Sequence, residues 1–257
     1  GKANGTLIAA VARVVLGGDR GDLRAQLDIP HPVQNSRRPA FAAAAPPEST
    51  ASPFIDQAVA SPMTLTNGLG GFTDAGRAYT IVLEGDRETP LPWANVIANS
   101  HFGTVVTASG SAHTWSENSR ENRLTSFAND PVVDPTAEAL FIRDDDSGDA
   151  WSPTPGPMTR YPASGQFVVH HSAGVTRFSR ATRGIRHQLE VFVDVEDPVK
   201  FSLLAVTNDG PATRTLSLFA YNDWVLGPPR ESQPGHVTTT YDATSGTILA
   251  RNPYSDE

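Results

Sequence analysis

The chain contains no cysteine, and this absence excludes several kinds of chemistry at once. The protein can have no disulfide, no thiol nucleophile and no zinc site with cysteine ligands. A cysteine-free chain of 257 residues is typical of a reducing compartment, so we predict a cytoplasmic location.

Lysine is almost as rare, because Lys2 and Lys200 are the only two in the chain. The formal net charge is −8 and the isoelectric point is about 5.3. This acidic balance argues against nucleic acid or an anionic membrane surface as the main partner. No apolar run approaches the roughly 18 residues that a membrane-spanning helix needs.

Two N-terminal segments precede the main domain in our interpretation. Residues 1–27 are predicted to be the helical tail of a preceding domain, because Leu7, Val11 and Val15 recur on one helical face. Residues 28–61 are predicted to be a Pro/Ala-rich linker, because repeated prolines and low apolar content cannot offset the entropy of ordering. We therefore expect the chain to be a piece of a longer protein.

From residue 62 to residue 257 the hydrophobic pattern has the period of a β-strand. Strands are predicted around 79–83, 102–107 and 166–170, and most clearly over 185–195, where odd positions are mostly apolar and even positions mostly polar. His187 lies on the apolar side of that pattern and is predicted to be a hydrogen-bonded core histidine. Regular strands without intervening helices indicate an all-β, antiparallel, two-sheet sandwich.

Turn chemistry predicts two hairpins near the C-terminus. Asn208-Asp209-Gly210 separates the apolar runs 199–206 and 213–221, and an Asp-Gly pair between such runs favours a tight hairpin. A second hairpin is predicted within 241–249. The acidic run Asp144-Asp145-Asp146 lacks the spacing of a calcium loop and is predicted to be a turn between strands.

A polar stretch at 112–135 has neither helical nor strand periodicity in our interpretation, yet it is rich in Trp, Arg and Asn. Amides and guanidinium groups beside an aromatic ring suit the hydroxyls and the apolar face of a sugar. The alternative is that the same groups satisfy backbone in a large β-fold. We expect 118–130 to be mainly architectural, with Arg and Asn side chains, Asn122 among them, holding an ordered loop.

Several motifs in one order carry a resemblance to a known family. They are Asn67–Phe72, Pro92–Asn99, Asn118–Thr125, Trp151–Pro155, Asn222–Gly227 and Ala250–Tyr254. This set resembles the N-terminal β-supersandwich of glycoside hydrolase family 94, formerly glycosyltransferase family 36. The version in cyclic β-1,2-glucan synthases and β-1,2-oligoglucan phosphorylases matches best, and the resemblance covers about 62–257.

The resemblance implies a fold, a reaction and partners. The fold is a galactose-mutarotase-like supersandwich, followed in the family by an (α/α)6 barrel that carries the catalytic Asp. The parent reaction is inverting phosphorolysis of β-glucosides, which gives glucose 1-phosphate with inorganic phosphate as co-substrate. The chain ends before a barrel could begin, so we expect this fragment to be inactive alone, with no catalytic residue, cofactor or metal site. Whether the sandwich is complete at residue 257 stays open.

The resemblance also suggests which residues contact substrate or a partner. In the family the sandwich shapes part of the active-site rim and contacts the second subunit of dimers, and some parents are membrane-associated synthases. The candidates for rim or packing roles are Trp93, Trp115, Arg120, Asn122, Arg123 and Arg230. The alternative for Arg120 and Arg123 is pairing with Glu121, Asp130 or Asp134 within the loop.

Two other functions fit the same architecture. One is an independent sugar-binding module. The other is a mutarotase-like epimerase, which would need a His acid and a Glu base on one sheet face. His170, His187 and Glu190 are the available groups, and strand alternation predicts that His187 and Glu190 face opposite ways. The same alternation argues against a two-histidine metal site at His170-His171.

Overall fold

The computed structural model describes residues 62–130, 132–158, 165–228 and 236–253. The predicted helical tail at 1–27, the predicted linker at 28–61 and the candidate Arg230 lie outside the described residues. No helix in the described ranges has the length and apolarity to cross a bilayer.

The described residues form an all-β structure. Its strands are β1 (Gly70–Thr73), β2 (Ala78–Glu84), β3 (Ala94–Ala98), β4 (Phe102–Thr107), β5 (Ala112–Ser116), β6 (Arg123–Thr125), β7 (Glu138–Asp144), β8 (Ala150–Trp151), β9 (Gln166–Ser172), β10 (Val175–Thr182), β11 (Ile185–Val193), β12 (Lys200–Asn208), β13 (Leu216–Asn222), β14 (Trp224–Gly227), β15 (Thr238–Asp242) and β16 (Thr247–Arg251).

Within the described ranges every strand pair is antiparallel, and the strands build four sheets. Sheet A has the order β1-β2-β9-β10-β11-β12, and sheet B has the order β14-β6-β5-β4-β3. Sheet C has the order β13-β7-β8, and sheet D is the hairpin β15-β16. These sheets confirm the predicted antiparallel β-sandwich class, and sheets B and C together supply the layer opposite sheet A.

The main core lies between sheets A and B. Sheet A contributes side chains such as Phe167 and Phe178, and sheet B contributes Ile97 and Val106, all nearly inaccessible to solvent. A smaller core joins Ile142 and Trp151 of sheet C to Ile185 of sheet A. Each fully buried large apolar side chain stabilises the fold by about 1.5–3 kcal/mol. The two clusters therefore hold both parts of the second layer against sheet A.

The alternation predicted for the 185–195 run is confirmed in β11. Its burial alternates between buried and half-buried residues from Ile185 to Val191. The strands predicted around 79–83, 102–107 and 166–170 are also confirmed as β2, β4 and β9. Period-two patterns are reliable here because each of these strands has one face on the core.

The prediction for His187 is wrong in one respect. The side chain is in the core, with no exposed surface, but neither ring nitrogen has a hydrogen-bond partner among the described residues. Burial, together with the nearby charge of Arg180, lowers the pKa of His187 to about 4. The ring is therefore neutral at pH 7 and is buried at an energetic cost.

The hairpin predicted at 208–210 is also wrong. β12 pairs with β11 in sheet A, whereas β13 pairs with β7 in sheet C, so the connection crosses between layers. Asn208 shapes it locally, since its side chain accepts from the Gly210 N–H and donates to the Ala212 carbonyl. The second predicted hairpin, around 241–249, is confirmed as β15 and β16.

The acidic run after β7 is a turn, as predicted. The Asp144 carboxylate accepts from the backbone N–H groups of Asp146 and Ser147, and β8 follows and pairs back on β7. Arg214 donates to the Asp144 carboxylate and to the Arg183 carbonyl. This contact ties the crossover before β13 to the turn.

One buried ion pair joins three sheets. Lys200 of β12 places its Nζ 2.5 Å from Oε2 of Glu138 on β7, and both side chains are largely buried. The other carboxylate oxygen accepts from the hydroxyls of Thr114 and Thr125 at 2.6 and 2.8 Å. Lys200 also donates to Thr104. The network gives both buried charges hydrogen-bonded partners, which a dry interior requires.

Candidate functional site

The polar stretch at 112–135 is more regular than its sequence suggests. Residues 112–116 form β5 and residues 123–125 form β6, joined by an ordered turn. Thr114 and Ser116 interrupt the apolar alternation. Thr114 points inward, where its hydroxyl donates a hydrogen bond to the Glu138 carboxylate. The absence of strand periodicity in this stretch therefore reflects a polar inner contact, and the interpretation as irregular loop is wrong for these two segments.

The turn between β5 and β6 is held by Asn118. Its Oδ1 accepts from the backbone N–H groups of Arg120 and Glu121 at 2.9 and 3.0 Å. Asn122 contributes its backbone, accepting from Ser116 and donating to Asn118. The side chain that stabilises this turn is therefore that of Asn118, and the prediction that the Asn122 side chain does so is wrong.

Register places one row of side chains across the outer face of sheet B. Ala98 pairs with Gly103, Gly103 with Trp115, and Trp115 with Arg123. Directly paired residues share a sheet face, and the neighbouring row, Ile97 with Thr104, faces the core. Trp115 and Arg123, two of the six candidate residues, therefore lie side by side on the solvent side.

Gly103 gives the indole of Trp115 its position. A Cβ atom added to Gly103 would stand 2.3 Å from Cζ2 of Trp115 and 2.8 Å from the Cβ of Ala98. Only glycine can occupy this position with the ring lying across the strand. The half-buried indole thus covers the glycine with one face.

His113 and Phe127 extend the ring of Trp115 into a row. The His113 and Trp115 centroids are 5.7 Å apart, and His113 stacks on Phe127 at 4.7 Å with an interplanar angle of 24°. We call Trp115, His113 and Phe127 the aromatic strip. Phe127 is 40% exposed and Val96, on the same sheet face, is 63% exposed, so the strip borders accessible apolar surface.

Arg123 supplies the charge beside the strip. Its Cζ lies 5.8 Å from the Phe127 ring centroid, and its Nη1 donates to the Phe127 carbonyl at 3.3 Å. These contacts replace the carboxylate pairing that was the alternative for this residue. The guanidinium is a fixed, planar hydrogen-bond donor next to aromatic faces.

His113 is a neutral, oriented member of the strip. Burial lowers its pKa, with a further contribution from the charge of Arg123, and the backbone contact at Thr125 only partly opposes this. Its Nδ1 lies 3.0 Å from the Thr125 carbonyl. Because a carbonyl accepts, Nδ1 carries the proton in this contact. The ring is thereby fixed beneath Phe127.

The other candidates lie elsewhere. Trp93 is half-buried against the main core, with its ring edge-to-face to Tyr79 at 5.9 Å. Arg120 is 81% exposed at the turn and forms an ion pair with Glu121 at 3.2 Å, which is the carboxylate pairing given above as the alternative to a rim role. Asp130 and Asp134 bind neither arginine, since Asp130 accepts from Val132 and Val133 and Asp134 accepts from Thr107 and Ser109.

Sequence reasoning missed His113 and Phe127. Had 112–116 been treated as a strand, alternation would have placed His113 and Trp115 on one face. Phe127 follows β6, and no local pattern predicts its return over His113.

A cleft of about 570 Å³, with Pro92 in its lining, is the other candidate for a binding surface. Its lining includes Asp86, Glu88 and Asp134 among prolines and valines. No aromatic side chain is among the described residues that line it. It can accept hydrogen bonds from hydroxyls but offers no ring face, so the aromatic strip is the better candidate.

Neither an epimerase site nor a metal site is assembled in the described ranges. His187 lies in the core, whereas Glu190 faces the other side of β11 and pairs with Arg177 at 2.8 Å. No group of three metal-ligating side chains occurs among the described residues.

Comparison with known proteins gives one family match and several relatives. The model of the glycosyl hydrolase 94 supersandwich domain matches residues 77–257. The cyclic beta-(1,2)-glucan synthase NdvB of Rhizobium meliloti is 38% identical over 189 residues, which are 74% of this chain and 7% of that protein.

Two phosphorylases are more distant relatives. The N,N'-diacetylchitobiose phosphorylase of Vibrio proteolyticus is 24% identical over 68% of this chain and 21% of its own length. The solabiose phosphorylase of Paenibacillus borealis is 28% identical over 72% of this chain and 24% of its own length. The chain thus spans less than a quarter of each of these relatives.

Proposed function

The chain belongs to the glycosyl hydrolase 94 supersandwich domain family, and on that premise we propose that it is a non-catalytic, carbohydrate-associated module of a β-glucan-active enzyme. The parent enzyme is a phosphorylase or a cyclic β-1,2-glucan synthase, and its reaction is inverting phosphorolysis that yields glucose 1-phosphate. The names of the relatives, a β-1,2-glucan synthase and disaccharide phosphorylases, support this assignment.

The state of the buried carboxylates supports a non-catalytic role. Inverting phosphorolysis needs a carboxylic acid that is protonated at neutral pH to donate to the leaving oxygen. Burial raises the pKa of Glu138, but the charge of Lys200 and the hydrogen bonds outweigh it and hold this pKa below its usual value. The same balance, with backbone N–H groups and Arg214 as the opposing partners, lowers the pKa of Asp144.

The aromatic strip, together with Arg123, is the surface that we propose contacts the sugar. Trp115 and Phe127 offer ring faces for the apolar C–H face of a glucose unit, and Arg123 offers donors to its hydroxyls. Of the remaining rim candidates, Trp93 packs against the core, Asn122 contributes its backbone to the turn, and Arg120 is exposed and pairs with Glu121, so the proposal gives none of the three a sugar contact. The substrate side of the proposal is therefore a β-glucan chain lying along the outer face of sheet B, with the barrel domain of the parent as the catalytic partner.

The isolated chain should release no glucose 1-phosphate. Purified protein would be incubated with inorganic phosphate and β-1,2- or β-1,4-glucooligosaccharides, and glucose 1-phosphate would be measured. No turnover above a protein-free blank is expected, because the two buried carboxylates, Glu138 and Asp144, have pKa values held below their usual range and are not protonated acids at neutral pH. Clear turnover that increases with protein concentration would refute the non-catalytic assignment.

Replacing Trp115 with alanine should weaken oligosaccharide binding. Titration calorimetry with β-1,2-glucooligosaccharides should show roughly a 10- to 100-fold loss of affinity, the size expected when an aromatic anchor is truncated. Trp115→Phe should retain most of the binding because it keeps a ring face.

Arg120→Ala is the matched control for this experiment. Arg120 lies on the same hairpin but is exposed and pairs only with its neighbour Glu121 among the contacts described above, so its removal should leave affinity unchanged. Equal affinity of Trp115→Ala and the unmodified chain, with equal melting temperatures, would remove the strip from the proposal. Tight binding that needs no other domain would instead favour the independent sugar-binding module.

A further inference from the structure

Glu117 lies at the end of β5, next to the aromatic strip. Its backbone N–H donates to the His101 carbonyl at 2.5 Å, which extends the pairing of β4 and β5 by one residue beyond Phe102 and Ser116. Side chains alternate between the two faces of a strand, so His101 shares the outer face with Gly103, whereas Phe102 between them is 5% exposed and faces the core. The contact between His101 and Glu117 therefore lies on the outer face of sheet B.

The Glu117 carboxylate has one oxygen available for a ligand. Oε2 lies 3.1 Å from Nδ1 of His101, and no residue in the described ranges donates to Oε1. The side chains of His101 and Glu117 are 59% and 65% exposed. A contact this exposed contributes little to stability. It therefore does not explain why a glutamate occupies this position.

The backbone conformation of Glu117 makes the choice of glutamate costly. Its φ is 57°, in the left-handed region that residues with a Cβ atom generally avoid. Glycine takes the same conformation without this penalty. Strain of this kind is concentrated at sites where the side chain has a function, such as ligand binding. A use for the carboxylate outside the fold itself would account for the strained residue.

The surroundings of Trp115 supply both kinds of hydrogen-bonding group that a sugar needs. Arg123 is paired with Trp115 across the strands and offers N–H donors. Glu117 is two residues further along β5, about 7 Å between Cα atoms at the rise of a strand, and offers an acceptor. A sugar hydroxyl can donate to the carboxylate or accept from the guanidinium. One ring stacked on the indole therefore has a polar partner on two of its sides.

We propose that Oε1 of Glu117 accepts a hydrogen bond from a hydroxyl of the sugar unit that stacks on Trp115. The inference rests on the proposed function, because it names a further contact of the same glucan site. A carboxylate accepts from O–H groups and is repelled by a second carboxylate. The ligand class is therefore a neutral sugar with free hydroxyls, in preference to a uronic acid.

Glu117→Gly separates a binding role from a structural one. Glycine adopts the left-handed conformation freely, so the melting temperature should be maintained or raised. The affinity for β-1,2-glucooligosaccharides, measured by titration calorimetry, should fall about 10-fold or more, the size expected for losing a hydrogen bond to a charged group. Glu117→Gln keeps an acceptor without the charge and should lose less affinity.

Leu65→Gly is the matched control. Leu65 also has a positive φ, 51°, and is 82% exposed, but it precedes β1 of sheet A and lies outside sheet B. Its melting temperature should likewise be maintained, and its affinity should equal that of the unmodified chain. A second ligand, a glucooligosaccharide that ends in glucuronic acid, tests the ligand class. The unmodified chain should bind it more weakly than the neutral ligand, and Glu117→Gly should reduce this difference.

The outcomes distinguish this inference from the proposed function. If Trp115→Ala loses affinity and Glu117→Gly does not, the Glu117 contact is refuted and the aromatic strip remains a glucan site. A melting temperature of Glu117→Gly that falls by many degrees would show a structural role and would also overturn the inference. So would a preference for the neutral ligand that Glu117→Gly leaves unchanged. An unmodified chain that binds no oligosaccharide would overturn both proposals.

Discussion

Replacing Lys200 with methionine should lower the free energy of unfolding by about 3–5 kcal/mol, the cost of leaving a buried partner charge uncompensated. The Glu138 carboxylate would keep the Thr114 and Thr125 hydroxyls but lose the ammonium at 2.5 Å. Since this network joins β12 to β7 and to the threonines of sheet B, its loss should reduce cooperativity between the layers. Urea unfolding followed by circular dichroism measures the change.

The double variant Lys200→Met with Glu138→Met is the control. Removing both charges should restore part of the lost stability, because a buried ion pair can often be replaced by apolar side chains at little cost. The double variant should thus be more stable than Lys200→Met alone. A single variant within about 1 kcal/mol of the unmodified chain, or additive losses in the double variant, would show that the pair is not a buried, coupled unit.

Acidification from pH 7 to pH 4.5 should destabilise the protein through two buried histidines, His171 and His187. Burial lowers the pKa values of His171 and His187 to about 4, whereas unfolded histidine titrates near 6.5. Between pH 6.5 and pH 4 these histidines bind protons in the unfolded state but not in the folded state. Their contribution to the free energy of unfolding is therefore fully present above pH 6.5 and is lost as the pH falls towards 4. Each histidine should contribute roughly 3 kcal/mol over that window.

His187→Leu separates the contribution of one histidine. The substitution places an apolar side chain of similar size in the core and removes two ring nitrogens that have no hydrogen-bond partner among the described residues. Stability at pH 7 should be equal or higher, and the slope of stability against pH between 6.5 and 4.5 should decrease. An unmodified chain with constant stability over this window would contradict the burial argument, as would a variant with an unchanged slope.

Local patterns predicted those parts of the fold that have one plain inner face. β11 is the best example, since from Ile185 to Val191 its odd positions are buried and, apart from His187, apolar, while its even positions are polar and half-buried. The connection at 208–210 shows the limit. Its turn residues are typical of a hairpin, but the partner strand of β13 is β7. The Ser217 hydroxyl of β13 donates a hydrogen bond to the Asp145 carboxylate, 72 residues earlier in the sequence. No local signal encodes such a distant pairing, because it is decided by which apolar faces can pack together.

The candidate site was predicted in part. Trp115 and Arg123 were chosen for their chemistry, and the register of β5 and β6 brings them together. The sequence pattern did not reveal β5 as a strand. Its inward-facing Thr114 is polar and hydrogen-bonds Glu138, whereas an alternation of apolar and polar residues assigns a polar position to the solvent side. The stacking of Phe127 on His113 depends on the path of the chain after β6, which the sequence does not specify locally.

The tryptophan indole signals test the central proposal most directly. The chain has four tryptophans, Trp93, Trp115, Trp151 and Trp224, which give four indole N–H resonances in a nitrogen-15 labelled sample. Titration with β-1,2-glucooligosaccharides should shift the Trp115 resonance progressively, while the buried Trp151 resonance stays in place. Saturating oligosaccharide that moves none of the four, or that moves Trp93 and leaves Trp115 unchanged, would contradict a glucan contact on the aromatic strip.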